Sequence, residues 1–171
     1  MRTILTCAAV LACAACQQKA SESAKPNVAA ETQAINQLFA NWQKAFEAKD
    51  VDGVMAMYAK GDAVTAYDIV PPLQYKGADA YRKDYADFFA QFDGPLHVEI
   101  RDMHVEVGDD VALAYGLERI SGKLKSGKPA DIWLRYTAGL KKIDGQWRDI
   151  HDHVSVPADI DTGKAMLDLK P

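Results

Sequence analysis

Beyond residue 16 the chain contains no cysteine. Its three, Cys7, Cys13 and Cys16, end there, so the part that folds is held by burial and not by disulfides, even in a compartment that permits them. Positive charge is also scarce. The 20 Lys and Arg face 24 Asp and Glu, for a net charge of -4 and a pI near 5.5, and this argues against nucleic acid, which calls for a basic face. Lys123, Lys125 and Lys128 do gather, but they read as the solvated tip of a hairpin. Internal repeats and low-complexity domains are absent.

The apolar run from Ile4 to Ala15 is too short for a permanent membrane helix. With Arg2 before it and lasting polarity only from Gln17, it reads as an export signal. Small residues lead into a cysteine twice, in VLAC (Val10–Cys13) and CAAC (Cys13–Cys16). Both resemble the lipobox of bacterial lipoproteins, in which the cysteine becomes the lipidated N-terminus. Cys16 is the expected site, because polar sequence starts directly after it; Cys13 competes, and an ordinary secretory signal cut near Ala15 is the third reading. Gln17 to Val28, with Ser21, Glu22, Ser23, Lys25 and Pro26, reads as a flexible tether. The organisation expected is a signal over 1–16, a tether over 17–28 and one domain over 29–171, long enough for a single core. The expected location is the bacterial cell envelope: lipid-anchored in the outer membrane on its periplasmic side, or otherwise periplasmic.

Ile35, Leu38, Phe39, Trp42, Ala45 and Phe46 recur at helical spacing and predict an amphipathic helix from about Ala30 to Ala48. Asp50 suits the N-cap of a short second helix carrying Val51, Val54, Met55 and Tyr58, with Gly61 as its stop. Tyr81, Tyr85, Phe88, Phe89 and Phe92 mark a third, stopped by Gly94-Pro95. That aromatic stripe reads as core and not as a cofactor box, and no cofactor is expected. Strands are predicted over Val64–Asp68, Leu73–Lys76, Leu96–Val107, Val111–Leu124, Ile132–Lys142 and Gln146–Val156. In the third of these the inward set Leu96, Val98 and Ile100 shifts phase to Met103, Val105 and Val107, which predicts a bulge and a bend. The fold class is therefore α+β, a bent antiparallel sheet with three helices packed on one side.

Ile143 to Pro157 carries the most chemistry. Asp144-Gly145 predicts a tight hairpin turn. Period two beyond it puts Trp147, Asp149, His151, His153 and Ser155 on one face. Trp133, Arg135 and Thr137 share a face of the preceding strand, so pairing of the two strands lays the polar sets side by side. The expected site is a pocket whose mouth holds Asp68, Arg135, Thr137, His151 and His153, with Trp133 and Tyr67 as walls, suited to a small organic ligand. A histidine there serves as acid, base or donor near neutrality. Three plainer readings compete: an exposed or dimer-facing strand, a buried histidine pair satisfied by Asp68 and Asp149, and a metal held by both histidines and a carboxylate. For the metal no third ligand has diagnostic spacing, so none is expected. His97 and His104 read as surface residues.

The element order resembles the cone-shaped α+β fold of the nuclear transport factor 2 superfamily. AKDVDGVMAMYAKGDAVTAYD (Ala48–Asp68), GADAYRKDYADFF (Gly77–Phe89) and WLRYTAGLKKIDGQWRDIHDHVSVP (Trp133–Pro157) resemble stretches of its SnoaL-like and ketosteroid-isomerase-like branch. The last of them ends in His-acid-His-x-Ser-x-Pro. By its interval from Gly77, Asp68 takes the place of the general-base aspartate that the resemblance implies. That base shuttles a proton beside a carbonyl and needs partial desolvation, for which Ile69, Val70, Pro71 and Pro72 are apolar neighbours. Without the resemblance, Asp68 reads equally as a strand end before a proline turn.

The other half of that machinery departs from the family. The place of its oxyanion tyrosine holds Trp42, and the place of its late-strand acid falls near Arg135 or Thr137, so authentic steroid isomerisation is not expected. The resemblance implies a small, partly apolar carbonyl or carboxylate compound in the cone. If the protein is an enzyme, it implies cofactor-independent proton transfer with Asp68 as base, Arg135 and His153 as oxyanion partners and His151 as acid or orienting donor. Trp42, Tyr67, Trp133, Thr137 and Ser155 are then ligand contacts, and the protein is a homodimer, as many relatives are. The rival is a non-catalytic binding module or a structural dimer.

Overall fold

Apolar spacing and side-chain caps set the helices. Helix α1 spans Val28–Glu47, capped where the Asn27 side chain accepts from the Ala30 N–H at 3.3 Å. Its buried stripe is Ile35, Phe39, Trp42, Ala45 and Phe46. The computed structural model describes residues 27–171; the expected signal, Cys13, Cys16 and the tether up to residue 26 lie outside the described residues. Helix α2, Val51–Met55, is capped by Asp50, which accepts from Gly53 N–H at 3.0 Å. It stops well short of Gly61. Met57 and Ala59 turn instead to the last strand, where Asp149 N–H donates to the Met57 carbonyl at 3.0 Å and Ala59 N–H to the Asp149 carbonyl at 2.9 Å. That bridge sets Tyr58 beside Asp149. Helix α3 spans Ala78–Phe89 and ends before Gly94-Pro95, which lies inside the next strand.

Six strands follow the order β2-β1-β6-β5-β4-β3 in one curved sheet. They are β1 Thr65–Tyr67, β2 Tyr75–Lys76, β3 Phe92–Val107, β4 Val111–Leu124, β5 Pro129–Ile143 and β6 Gln146–Ser155. Four of the five pairings are antiparallel, and β1 runs parallel to β6. Gly94-Pro95 forms a bulge on β3 because an edge strand tolerates both the missing N–H and the positive φ of Gly94. The predicted phase shift in β3 is a second bulge between Arg101 and His104, with Asp102 at φ 53°. The helices pack on the inner face against Leu96 and Val98 of β3, Ala112 and Ala114 of β4, and Leu134, Tyr136, Ala138 and Leu140 of β5.

Side chains from α1, and from Lys49 in the turn after it, tie down the sheet's exposed ends. Gln43 donates to the Val98 carbonyl at 2.8 Å, Glu47 accepts from Val98 N–H at 3.0 Å, and Lys49 donates to the Phe92 carbonyl at 3.1 Å. These bonds occupy backbone groups on the free edge of β3 that would otherwise invite another strand. At the other end of α1, Glu31 accepts from Lys142 at 2.6 Å and from the Trp147 indole at 2.7 Å. Gly116 lets the bend in β3 approach: a Cβ there would stand 2.9 Å from the Arg101 carbonyl oxygen and 3.0 Å from Tyr136 Cε1. Gly116→Ala is therefore expected to lower stability by about 1–3 kcal/mol through overpacking against backbone; a shifted urea midpoint at unchanged slope checks it.

Candidate functional site

The β5–β6 hairpin turns at Asp144 and Gly145, both at positive φ, 50° and 78°. Its polar sets do pair, with Thr137 opposite His153 and Arg135 opposite Ser155. They pair on the outer face of the sheet. The cause is one extra residue: Gly139 faces His151 while Leu140 faces Asp149, so Ile150 is bulged out of register. Before the bulge Trp147 and Asp149 point inward; after it the phase reverses and Asp152 and Val154 take the inner side. The expectation that Trp147, Asp149, His151, His153 and Ser155 share one face is corrected accordingly. A sequence signal for this existed, since the apolar phase moves from Trp147 to Val154 and Val156, the same kind of shift that marks the bulge in β3.

Arg135, Thr137, Trp133 and His151 therefore do not line the cone. On β5 the inner positions belong to Leu134, Tyr136 and Ala138. Trp133 lies under the Arg101 guanidinium, 4.9 Å from its ring centre. His151 Nδ1 donates to the Thr65 carbonyl at 2.9 Å, and its ring meets Tyr67 edge-on with centres 4.8 Å apart. The two histidines lie on the outer side of the sheet and the carboxylates of Asp149 and Asp152 on the inner side, so the reading of a buried histidine pair satisfied by Asp149 is corrected.

The inner face holds acids instead. A cavity of about 70 Å³ lies between α1, α3 and the sheet, and Asp68, Asp84, Glu118 and Asp152 all line it, as does Trp42. Asp68, Ile69 and Val154 also line an open cleft of about 570 Å³ that includes Tyr67, His153 and Ser155. Asp68 thus stands where an outer vestibule meets an inner chamber. The fold gathers Asp68 with Tyr67, His153 and Ser155 at the mouth and with Trp42 inside.

Hydrogen bonds order the chamber. Asp152 Oδ2 accepts from the Tyr58 hydroxyl at 2.7 Å and the Tyr81 hydroxyl at 3.0 Å. With the Tyr58 proton committed to Asp152, the Tyr85 hydroxyl donates to the Tyr58 oxygen at 2.7 Å. Burial pushes Asp152 up, opposed by both tyrosines and by the charge of His151. Asp149 has no solvent exposure, and neither of its carboxyl oxygens has a partner among the described residues. Burial, and then repulsion from Asp152, hold it well above the usual carboxylate range. Burial, then Asp152 and Asp68, push Glu118 up to about 8. A protonated acid from a late strand therefore does face the cavity, but it is Glu118 on β4 and not a residue near Arg135 or Thr137.

Asp68 is raised toward neutrality from below. Burial, then the charges of Asp84 and Asp152, raise it to about 6, against the Ile69 N–H at 2.6 Å and the Val70 N–H. Asp84, itself raised by burial, is held by the Tyr75 hydroxyl at 2.7 Å. Trp42 Nε1 and the Tyr136 hydroxyl are buried without partners among the described residues. The site thus combines an ionisable carboxyl at a junction with polar groups deeper in. Sequence reasoning overlooked Glu118, Asp84 and Asp152, although Glu118 interrupts an otherwise uncharged inner face of β4.

The sequence profile of the SnoaL-like domain matches residues 35–159. A nuclear transport factor 2-like protein of unknown function from Pseudomonas putida is 35% identical, over 86% of this chain and 100% of its own, with a TM-score of 0.75. A nuclear transport factor 2 superfamily protein from Salmonella enterica is 15% identical, over 81% and 99%, with a TM-score of 0.70. A ketosteroid isomerase-like protein from Erwinia carotovora is 20% identical, over 73% and 95%, with a TM-score of 0.62. The last two likenesses concern the fold. No curated protein matches the chain.

Proposed function

Because the chain belongs to the SnoaL-like domain family, we propose that its cone binds a small, partly apolar carbonyl compound and moves a proton on the carbon beside the carbonyl. The position of Asp68 carries this reading. Its carboxyl is half-buried, raised to about 6, and lies between the vestibule and the chamber. A carboxylate so placed is still ionised at neutral pH yet basic enough to accept a proton.

In the reaction Asp68 takes a proton from carbon, and the C–H electrons pass into a carbon–carbon double bond as the carbonyl π pair moves onto oxygen. The resulting enolate oxygen is stabilised by neutral donors, for which Glu118, Trp42 Nε1 and the Tyr136 hydroxyl are the candidates. Asp68 then returns the proton to the same carbon or to a conjugated one. Among the described residues no Lys, Arg or His lines the inner cavity, so the expected carboxylate ligand gives way to a neutral carbonyl. Arg135 and His151 leave the proposed machinery, and His153 and Ser155 remain as vestibule contacts.

The proposal includes an envelope protein anchored through Cys16, supported by the sequence of Met1 to Cys16. It also includes a homodimer that joins outer sheet faces, supported by the exposure there of Tyr67, Leu113 and Tyr115. Deuterium exchange from D₂O into carbonyl-adjacent positions of a panel of cyclic ketones and enones tests the chemistry. Exchange well above the buffer rate is expected for some members. Bound ketones with no exchange above buffer would reduce the cone to a binding module.

A further inference from the structure

The acids of the chamber have no basic partner inside it. Asp68, Asp84, Glu118 and Asp152 share its lining without a Lys, Arg or His among the described residues. A fifth carboxyl, Asp149, is fully buried with both oxygens unpartnered. It faces a small adjoining chamber of about 20 Å³ that shares Trp42, Glu118 and Asp152 with the first. Burying one carboxyl costs free energy, and each neighbouring carboxyl adds to that cost. Hydrocarbon would fill the same space without the penalty, so the acidity calls for a use.

The opposite wall supplies a second clue. Tyr81, Asp84, Tyr85 and Phe88 fall on one face of α3 at helical spacing. Trp42 and Phe46 of α1 face them across the cavity. Aromatic faces attract cations through their quadrupole, and carboxylates attract them through charge. Both kinds of wall therefore select the same sign of guest.

We propose that the molecule held in the cone carries an alkylammonium group, received by Asp84 and Asp152 together with the rings of Trp42, Tyr81 and Tyr85. The proposal rests on the cone as a ligand site and adds the charge of its occupant. An entering cation turns repulsion among the carboxyls into attraction. The rest of the lining, with Phe46, Phe88, Ile120 and Leu134 among it, suits a charge spread over alkyl groups better than a compact, strongly hydrated ammonium.

Calorimetric titration with choline, and with its uncharged isostere 3,3-dimethylbutan-1-ol, tests the proposal on wild type and on Asp84→Asn. The asparagine keeps an oxygen to accept from Tyr75. Choline is expected to bind wild type at least about tenfold more tightly than the alcohol. Asp84→Asn is expected to remove most of that preference while leaving affinity for the alcohol unchanged, which also reports an intact cavity. Equal affinities, or a preference that survives Asp84→Asn, would overturn the ammonium assignment. If the alcohol or a ketone binds and choline does not, the assignment falls and the cone remains a ligand site; if nothing binds, both fall.

Discussion

Asp68→Asn should slow carbonyl-adjacent exchange by about 10²–10⁴-fold, the usual contribution of a positioned general base, or about 3–5 kcal/mol of barrier. Asparagine has nearly the same shape and keeps an oxygen for the Ile69 N–H, so the loss should come without a loss of stability. The wild-type rate should climb with pH through about 6 and then level off, following ionisation of the Asp68 carboxyl. Burial sets most of that value and the charge of Asp84 adds to it. Asp84→Asn should therefore move the rising limb to lower pH. A flat profile between pH 5 and 7, or an Asp68→Asn variant as fast as wild type, would remove Asp68 as the base.

Glu118→Gln should make the protein more stable at pH 8 and leave it almost unchanged at pH 4. The carboxyl has an ordinary value of 4.5 and a value of about 8 in the fold, raised chiefly by burial. Between those values the folded chain keeps a proton that the unfolded chain has released. Stability is then complete below pH 4.5, falls as pH rises, and stops falling above about pH 8. At about 1.4 kcal/mol per pH unit, the interval corresponds to a loss of about 5 kcal/mol. Glutamine is neutral in both states and escapes the loss, so the variant should exceed wild type by up to about 5 kcal/mol at pH 8. Urea denaturation at several pH values measures this, and parallel pH curves for the two proteins would refute the buried, protonated Glu118. Asp149 and Asp152, also raised by burial, act in the same direction and remain in the variant.

Local chemistry made most of the fold legible. The stripe of α1, the Asp50 cap, the Asp144-Gly145 turn and the phase shift in β3 each follow from interactions within a few residues. The site was legible only in part. Asp68 and Trp42 were visible only through the family resemblance, whereas His151 drew attention to the outer side of β6 and His153 reaches no farther than the mouth. A single bulged residue, Ile150, separates those two outcomes, because a pleat alternates strictly and one extra residue inverts every side chain beyond it.

Composition and periodicity alone determined that the chain beyond residue 16 has no cysteine to bridge, and that its described residues form three α-helices and a six-stranded sheet with a hairpin at Asp144-Gly145. Those features are written in contacts between near neighbours along the chain. Which side chains meet inside the cone was decided by tertiary structure. Asp84, Glu118, Asp149 and Asp152 come from α3, β4 and β6, and Asp68 from the loop after β1. Their shared burial, which raises their proton affinity, exists only once register, bulge and helix packing have brought them together.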